Sequence, residues 1–64
     1  MNTTKHILIV EDEIRLADLL KAGLEEQGFC VDLAYDGYIG RNMCMKNTYD
    51  LLILDINLPL LNGY

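Results

Sequence analysis

The sequence predicts an α/β domain built on a parallel sheet, and three observations lead to this prediction. Two short segments, at residues 6–10 and 51–54, are rich in Ile, Leu and Val without alternating polar residues, which is typical of strands covered on both faces, and a third at residues 29–34 is short and has β character. Two segments between them space their apolar residues as helices do. The connections are short, and a helix between two strands is the usual crossover of a parallel, doubly wound sheet.

The first strand is predicted at residues 6–10 (HILIV), and a helix is predicted at residues 14–28. The acidic run 11–13 supplies negative charge to the first turn of this helix, and Gly28 is suited to ending it. The helix has apolar residues at near-helical spacing, namely Ile14, Ala17, Leu20 and Leu24.

The second strand is predicted at residues 29–34 (FCVDLA), the second helix at about residues 38–46 and the third strand at residues 49–55 (YDLLILD). Asp36 and Gly37 favour a turn before the second helix, and the Asp36 side chain can cap that helix. That helix offers only a weak apolar face, formed by the i, i+4 pairs Ile39/Met43 and Gly40/Cys44.

The composition limits the classes of function. The chain has 64 residues, enough for one small domain, and its net charge of -5 lacks the positive surface that nucleic-acid phosphates require. The apolar stretches near its ends are too short or too interrupted for an export signal or a membrane span. We therefore expect a soluble, cytoplasmic segment that contacts neither nucleic acid nor membrane.

Several other side chains are predicted to have structural roles. Cys30 and Cys44 lack metal-ligand spacing and are expected to be reduced core thiols. His6 is expected at the surface where the first strand begins, because no second His or Cys accompanies it. The larger side chains expected to pack in the interior are Tyr38, Met43, Met45 and Tyr49.

Acidic residues follow two of the predicted strands. Glu11 and Asp12 come directly after the first strand, and Asp55 ends the third. If these strands are neighbours, their carboxylates meet at one sheet edge, which is where ligands bind in doubly wound sheets. Capping of the next helix is an alternative role for the acidic run 11–13, but it does not explain Asp55.

Three clustered carboxylates repel one another, and a divalent cation relieves this repulsion. Mg²⁺ prefers oxygen ligands and keeps several waters, so Asp12 and Asp55 are expected to bind it directly and Glu11 through water. Asn57 can add its backbone carbonyl. Beside such an ion, an aspartate can attack a phosphorus centre and become an acyl phosphate.

Three motifs resemble a known family. The segments ILIVEDE, LEEQGFCVDLAYDG and YDLLILDINLPLLNG, in this order and spacing, look like the first half of a bacterial two-component response-regulator receiver domain. The segments LAYDG and LDINLP are most similar to those of receivers that precede a winged-helix DNA-binding output domain. The resemblance implies a flavodoxin-like fold, truncated to β-α-β-α-β with strand order 2-1-3.

The resemblance also assigns roles to the site residues. It implies that Glu11 and Asp12 are the acidic pair that binds Mg²⁺, that Asp55 is the phosphoacceptor, and that Asn57 offers a metal-binding carbonyl. The loop after the third strand matches at Pro59 and Gly63.

The function implied is that of a signalling module and not of an enzyme. A sensor histidine kinase would transfer a phosphoryl group to Asp55, within a transcriptional regulator that contacts DNA through another domain. Residues 1–64 would form a partial receiver, with the rest of the receiver and the output domain absent. Two alternatives are an inactive truncated fragment and a Mg²⁺-dependent aspartyl-phosphate phosphohydrolase, although such enzymes need a second acid where Asn57 stands.

The implied strand order makes the third strand an edge strand. Residues 51–54 are apolar on both faces, yet at an edge their outer N–H and C=O groups have no partner strand. We therefore expect this short form either to self-associate through that edge or to lack chain that belongs beside it.

Overall fold

The structure, a computed structural model, describes residues 4–55, and for Asp55 it describes the backbone alone. Each element begins and ends within two residues of its predicted bounds. In chain order the elements are β1 (His6–Glu11), α1 (Ile14–Glu26), β2 (Cys30–Ala34), α2 (Gly37–Lys46) and β3 (Leu51–Asp55).

The three strands form one parallel sheet in the order β2-β1-β3. Ile7 of β1 is level with Val31 of β2 on one side and with Leu51 of β3 on the other. Because β1 lies in the middle, its last five residues are all buried. The flavodoxin-like order implied by the resemblance is confirmed.

The sheet has an apolar cluster on each face. Leu20 and Leu24 of α1 pack on one face, and Met43 of α2 packs on the other. The strand residues of the α1 face are Ile7, Ile9, Val31, Leu33 and Ile53, and those of the α2 face are Leu8, Val10 and Ala34.

The helix ends follow two of the three predicted signals. Gly28 has a φ of 96°, the left-handed conformation that glycine adopts without strain after a helix. The Asp36 carboxylate accepts a hydrogen bond of 2.8 Å from Ile39 N and caps α2. The acidic first turn predicted for α1 is wrong, because Glu11 still belongs to β1 and Glu13 is only the N-cap residue.

The predicted apolar face of α2 is half right. Gly40 is buried against Val10 of β1, and Met43 packs on the same cluster. Ile39 and Cys44, by contrast, are exposed. A Cβ at residue 40 would lie 2.6 Å from Val10 Cγ2, so glycine permits the close approach of helix and strand here.

Other packing predictions need correction. Tyr38 and Met45 are largely exposed because they lie on the side of α2 away from the sheet, whereas Met43 and Tyr49 pack as predicted. His6 is exposed, as expected.

Both cysteines are free thiols, but neither is a core residue. Cys30 is exposed at the start of β2, which is an edge strand, and Cys44 is exposed on α2. Within the described part of the chain, neither helix is long and apolar enough to cross a membrane.

Candidate functional site

The carboxyl end of β1 is formed by a buried acid. Glu11 is the last residue of the strand, and only 3% of its surface is exposed. Its Oε2 accepts a hydrogen bond of 2.9 Å from Glu13 N, which fixes the carboxylate relative to the turn that leads into α1.

This contact clarifies the acidic run. The Glu13 side chain makes no capping hydrogen bond with α1, so capping is not the role of that side chain. Glu11 holds the backbone of the N-cap residue instead. Asp12, between them, is exposed to solvent at the bend. The run therefore consists of one buried, anchored acid and two acids exposed to solvent.

Asp55 is the register partner of Glu11. The two residues are the last of β1 and β3, and these strands are parallel neighbours. Because the two residues are paired in register, both strands end at the same level, about 4.8 Å apart, at one end of the sheet. This confirms that the first and third strands are adjacent and brings Glu11, Asp12 and the Asp55 backbone to one edge.

The rest of the predicted site lies outside the described residues. This applies to the Asp55 carboxylate and to Asn57, Pro59 and Gly63. Among the residues that are described, no group of three or more His, Cys, Asp or Glu is placed to hold a metal ion. The Mg²⁺ ligand set therefore stays a prediction.

The opposite end of β3 carries contacts that the sequence analysis did not predict. The Asp50 carboxylate accepts a hydrogen bond of 2.7 Å from His6 N, and Asp50 N donates one of 2.8 Å to the carbonyl of His6. These two bonds tie the residue before β3 to the first residue of β1. They hold the register that brings Asp55 level with Glu11.

Tyr49 adds a second tie. Its hydroxyl donates a hydrogen bond of 2.7 Å to Asp32 Oδ2 on β2, so the contact spans the central strand. Burial, reinforced by the bond to this carboxylate, raises the pKa of Tyr49 from 10.0 to about 12. No local pattern signals a pair that is 17 residues apart in the chain.

Comparison with known proteins finds a family match for the chain. The family model of the response regulator receiver domain matches residues 7–64. The chain is 52% identical over 58 residues to the transcriptional regulatory protein CusR of Escherichia coli K12, covering 91% of this chain and 26% of that protein. It is 49% identical over 57 residues to the response regulator ArlR of Staphylococcus saprophyticus, covering 89% and 26% respectively.

A third relative is the probable transcriptional regulatory protein SilR of Salmonella typhimurium, 52% identical over 58 residues, or 91% of this chain and 25% of that one. The chain thus spans about a quarter of the length of these relatives. No solved structure matches it significantly. On the family match and the identity to these relatives, the chain belongs to the response regulator receiver domain family.

Proposed function

We propose that this chain is the phosphoacceptor part of a two-component system and takes a phosphoryl group from a sensor histidine kinase onto Asp55. The observation that carries the proposal is the register of Asp55 with the buried Glu11 at the edge where β1 and β3 end. In doubly wound sheets, ligands bind at this edge. Membership of the receiver family supports the same assignment.

The donor set at this edge suits Mg²⁺, which favours carboxylate and carbonyl oxygens. Asp12 is exposed and would be a direct ligand together with Asp55, and Asn57 would add its backbone carbonyl. Glu11 is buried and engaged by Glu13 N, so it is suited to orienting a ligand water. When bound, Mg²⁺ neutralises charge on the incoming phosphoryl oxygens.

Asp55 is the nucleophile of the proposed transfer. One of its carboxylate oxygens attacks phosphorus of the kinase phosphohistidine, forming the P–O bond as the P–N bond breaks. The histidine nitrogen keeps the bonding electron pair and then takes up a proton. The product is the modified chain itself, so the segment acts as a receiver of signal and not as an enzyme. A phosphohydrolase is not favoured, because Asn57 cannot serve as the second acid.

The output of the proposed signal is regulation of transcription. Two of the relatives are named transcriptional regulatory proteins, and the chain spans about a quarter of their length. With a net charge of -5, this segment is poorly suited to DNA, so DNA contact belongs to a further domain. The place of action is the cytoplasm.

Labelling with a small phosphodonor tests the proposal. The chain would be joined to the second half of a receiver from another family member. With acetyl phosphate and Mg²⁺, the joined protein should become labelled and its Asp55→Asn variant should not. Asp18→Asn, the same change at an exposed acid of α1, is the matched control and should label normally. Undiminished labelling of Asp55→Asn would refute the assignment.

A further inference from the structure

The strand that carries the proposed phosphoacceptor does not specify its own register. Residues 51–54 are Leu, Leu, Ile and Leu, so β3 is apolar on both of its faces. Register is strongly specified where one face of a strand is buried and the other is polar, because a slip of one residue then exchanges the faces. In β3 such a slip exchanges one aliphatic side chain for another. The register that places Asp55 level with Glu11 must therefore be set outside this run.

Two acids bound the apolar run of β3. Asp50 precedes the run and Asp55 follows it, and the run equals in length the buried apolar stretch of β1, residues 7–10. A slip of one residue in one direction would bring Asp50 level with Ile7, and a slip in the other direction would bring Asp55 level with Val10. Both of these β1 residues are buried, and a carboxylate placed beside them without a partner costs free energy. Only the observed register keeps both acids beyond the buried stretch.

The Asp50 carboxylate also makes a bond that a slip would break. Its Oδ2 accepts the hydrogen bond of 2.7 Å from His6 N, the main-chain donor at the start of β1. The carbonyl of His6, which accepts from Asp50 N, could take another main-chain N–H in a shifted ladder, whereas the carboxylate belongs to residue 50 alone. A hydrogen bond to a charged acceptor changes an equilibrium by a factor of about ten or more. Asp50 therefore favours the observed register through both its charge and this bond.

We propose that Asp50 is a positioning residue for the phosphotransfer, because it sets the register that brings Asp55 level with Glu11. The inference rests on the proposed function, since the position of Asp55 matters only if Asp55 is the acceptor. A slip that draws Asp50 into the strand moves Asp55 by about 3.3 Å and leaves Leu54 level with Glu11. Misplacing a reacting group by about 1 Å can lower a rate by about 100-fold. Molecules in the shifted register should therefore not become labelled.

Three variants of the joined protein test the proposal. Asp50→Leu removes the carboxylate and lengthens the apolar run by one residue, so it should permit the slip. Asp50→Asn keeps an oxygen that can accept the bond from His6 N, so it is the conservative variant. Asp18→Leu, the same change at an exposed acid of α1, is the matched control. If Asp50→Leu does not fold, Asp50→Ala, which removes the carboxylate without adding a large apolar side chain, takes its place.

NMR contacts between main-chain protons of β1 and β3 report the register directly. In the unchanged protein, Ile9 should contact Ile53, its register partner. In Asp50→Leu we expect a second set of contacts, between Ile9 and Leu52, which a loss of stability alone would not produce. Asp50→Asn and Asp18→Leu should show only the original set. If Asp50→Leu also shows only the original set, the proposal is overturned.

The initial rate of labelling with acetyl phosphate and Mg²⁺ tests the consequence for the site. The rate should fall about tenfold or more in Asp50→Leu, the factor expected from the lost bond, and should stay close to the original in Asp50→Asn and Asp18→Leu. A shifted register with an unchanged rate would overturn the positioning role. The two proposals fail separately. Labelling of Asp55→Asn at the original rate would refute Asp55 as acceptor, whereas the NMR contacts would still show whether Asp50 sets the register.

Discussion

Asp50 and His6 are joined by two hydrogen bonds at the start of the β1–β3 pair, 2.7 and 2.8 Å long. This contact has a consequence at the far end of the pair, where Asp55 is level with Glu11. A slip of one residue would turn every side chain of β3 to the other face of the sheet. The contact of Asp50 with His6, just before β3, therefore helps to align Asp55 at the end of β3 with Glu11.

The packing of α2 on β1 predicts opposite effects for two glycine substitutions. Gly40→Ala should destabilise the chain, because the new methyl group would meet Val10 Cγ2 at 2.6 Å. Overpacking of this kind costs about 1–3 kcal/mol, more than the helix propensity that alanine adds.

Gly23→Ala is the matched control in α1. Nothing lies within 4 Å of its added Cβ, so it should stabilise the chain by about 0.5–1 kcal/mol. Urea unfolding followed by circular dichroism measures both free energies. A Gly40→Ala variant as stable as Gly23→Ala would contradict the close contact.

The Tyr49–Asp32 bond predicts a loss of stability at alkaline pH. The folded state raises the pKa of Tyr49 above 10.0, to about 12, so it holds the phenol proton more tightly than the unfolded chain. Stability from this group is complete below pH 10 and is lost as pH rises towards 12.

Tyr49→Phe should remove this alkaline loss and cost about 0.5–1.5 kcal/mol at neutral pH. Tyr38→Phe is the control, because the Tyr38 side chain is largely exposed. Urea unfolding at neutral and alkaline pH gives the comparison. If Tyr49→Phe keeps the wild-type alkaline transition, the transition does not originate at this bond.

The order of the elements was predictable because each short apolar segment carries its own periodicity and its own breaker, such as Gly28 and Asp36. The strand order was not predictable from these patterns and came from the family resemblance. The exposure of Tyr38 and Met45 was mispredicted for a physical reason. Ten residues of helix do not show which face packs on the sheet when the buried residue of that face, Gly40, has no side chain.

The end of the sheet at which the candidate site lies was predictable in part, as the element order was. Glu11, Asp12 and Asp55 stand at strand ends in the sequence, and parallel strands that are neighbours end at one edge. The contacts that hold this edge in register were not predictable, because the Asp50–His6 and Tyr49–Asp32 pairs are 44 and 17 residues apart. They depend on the fold and not on local spacing.

The proposed ligand roles predict a difference between two acids of the edge. Asp12→Asn should weaken Mg²⁺ binding more than Glu11→Gln, because direct ligation by the exposed Asp12 outweighs contact through water. Titration of each variant with Mg²⁺, followed by calorimetry or NMR shifts, measures the effect. Binding of Mg²⁺ to the 64-residue chain itself should be weak. Equal losses in the two variants would remove the distinction between direct and water-mediated ligation.

Locating the phosphoryl group tests the central claim most directly. The joined protein, labelled with acetyl phosphate and Mg²⁺, would be reduced with borohydride, which converts an aspartyl phosphate to homoserine. Mass spectrometry of its peptides then identifies the modified residue. We predict homoserine at position 55 and at no other acid, with Asp12 and Asp18 unmodified. Homoserine at another aspartate, with Asp55 intact, would contradict the account.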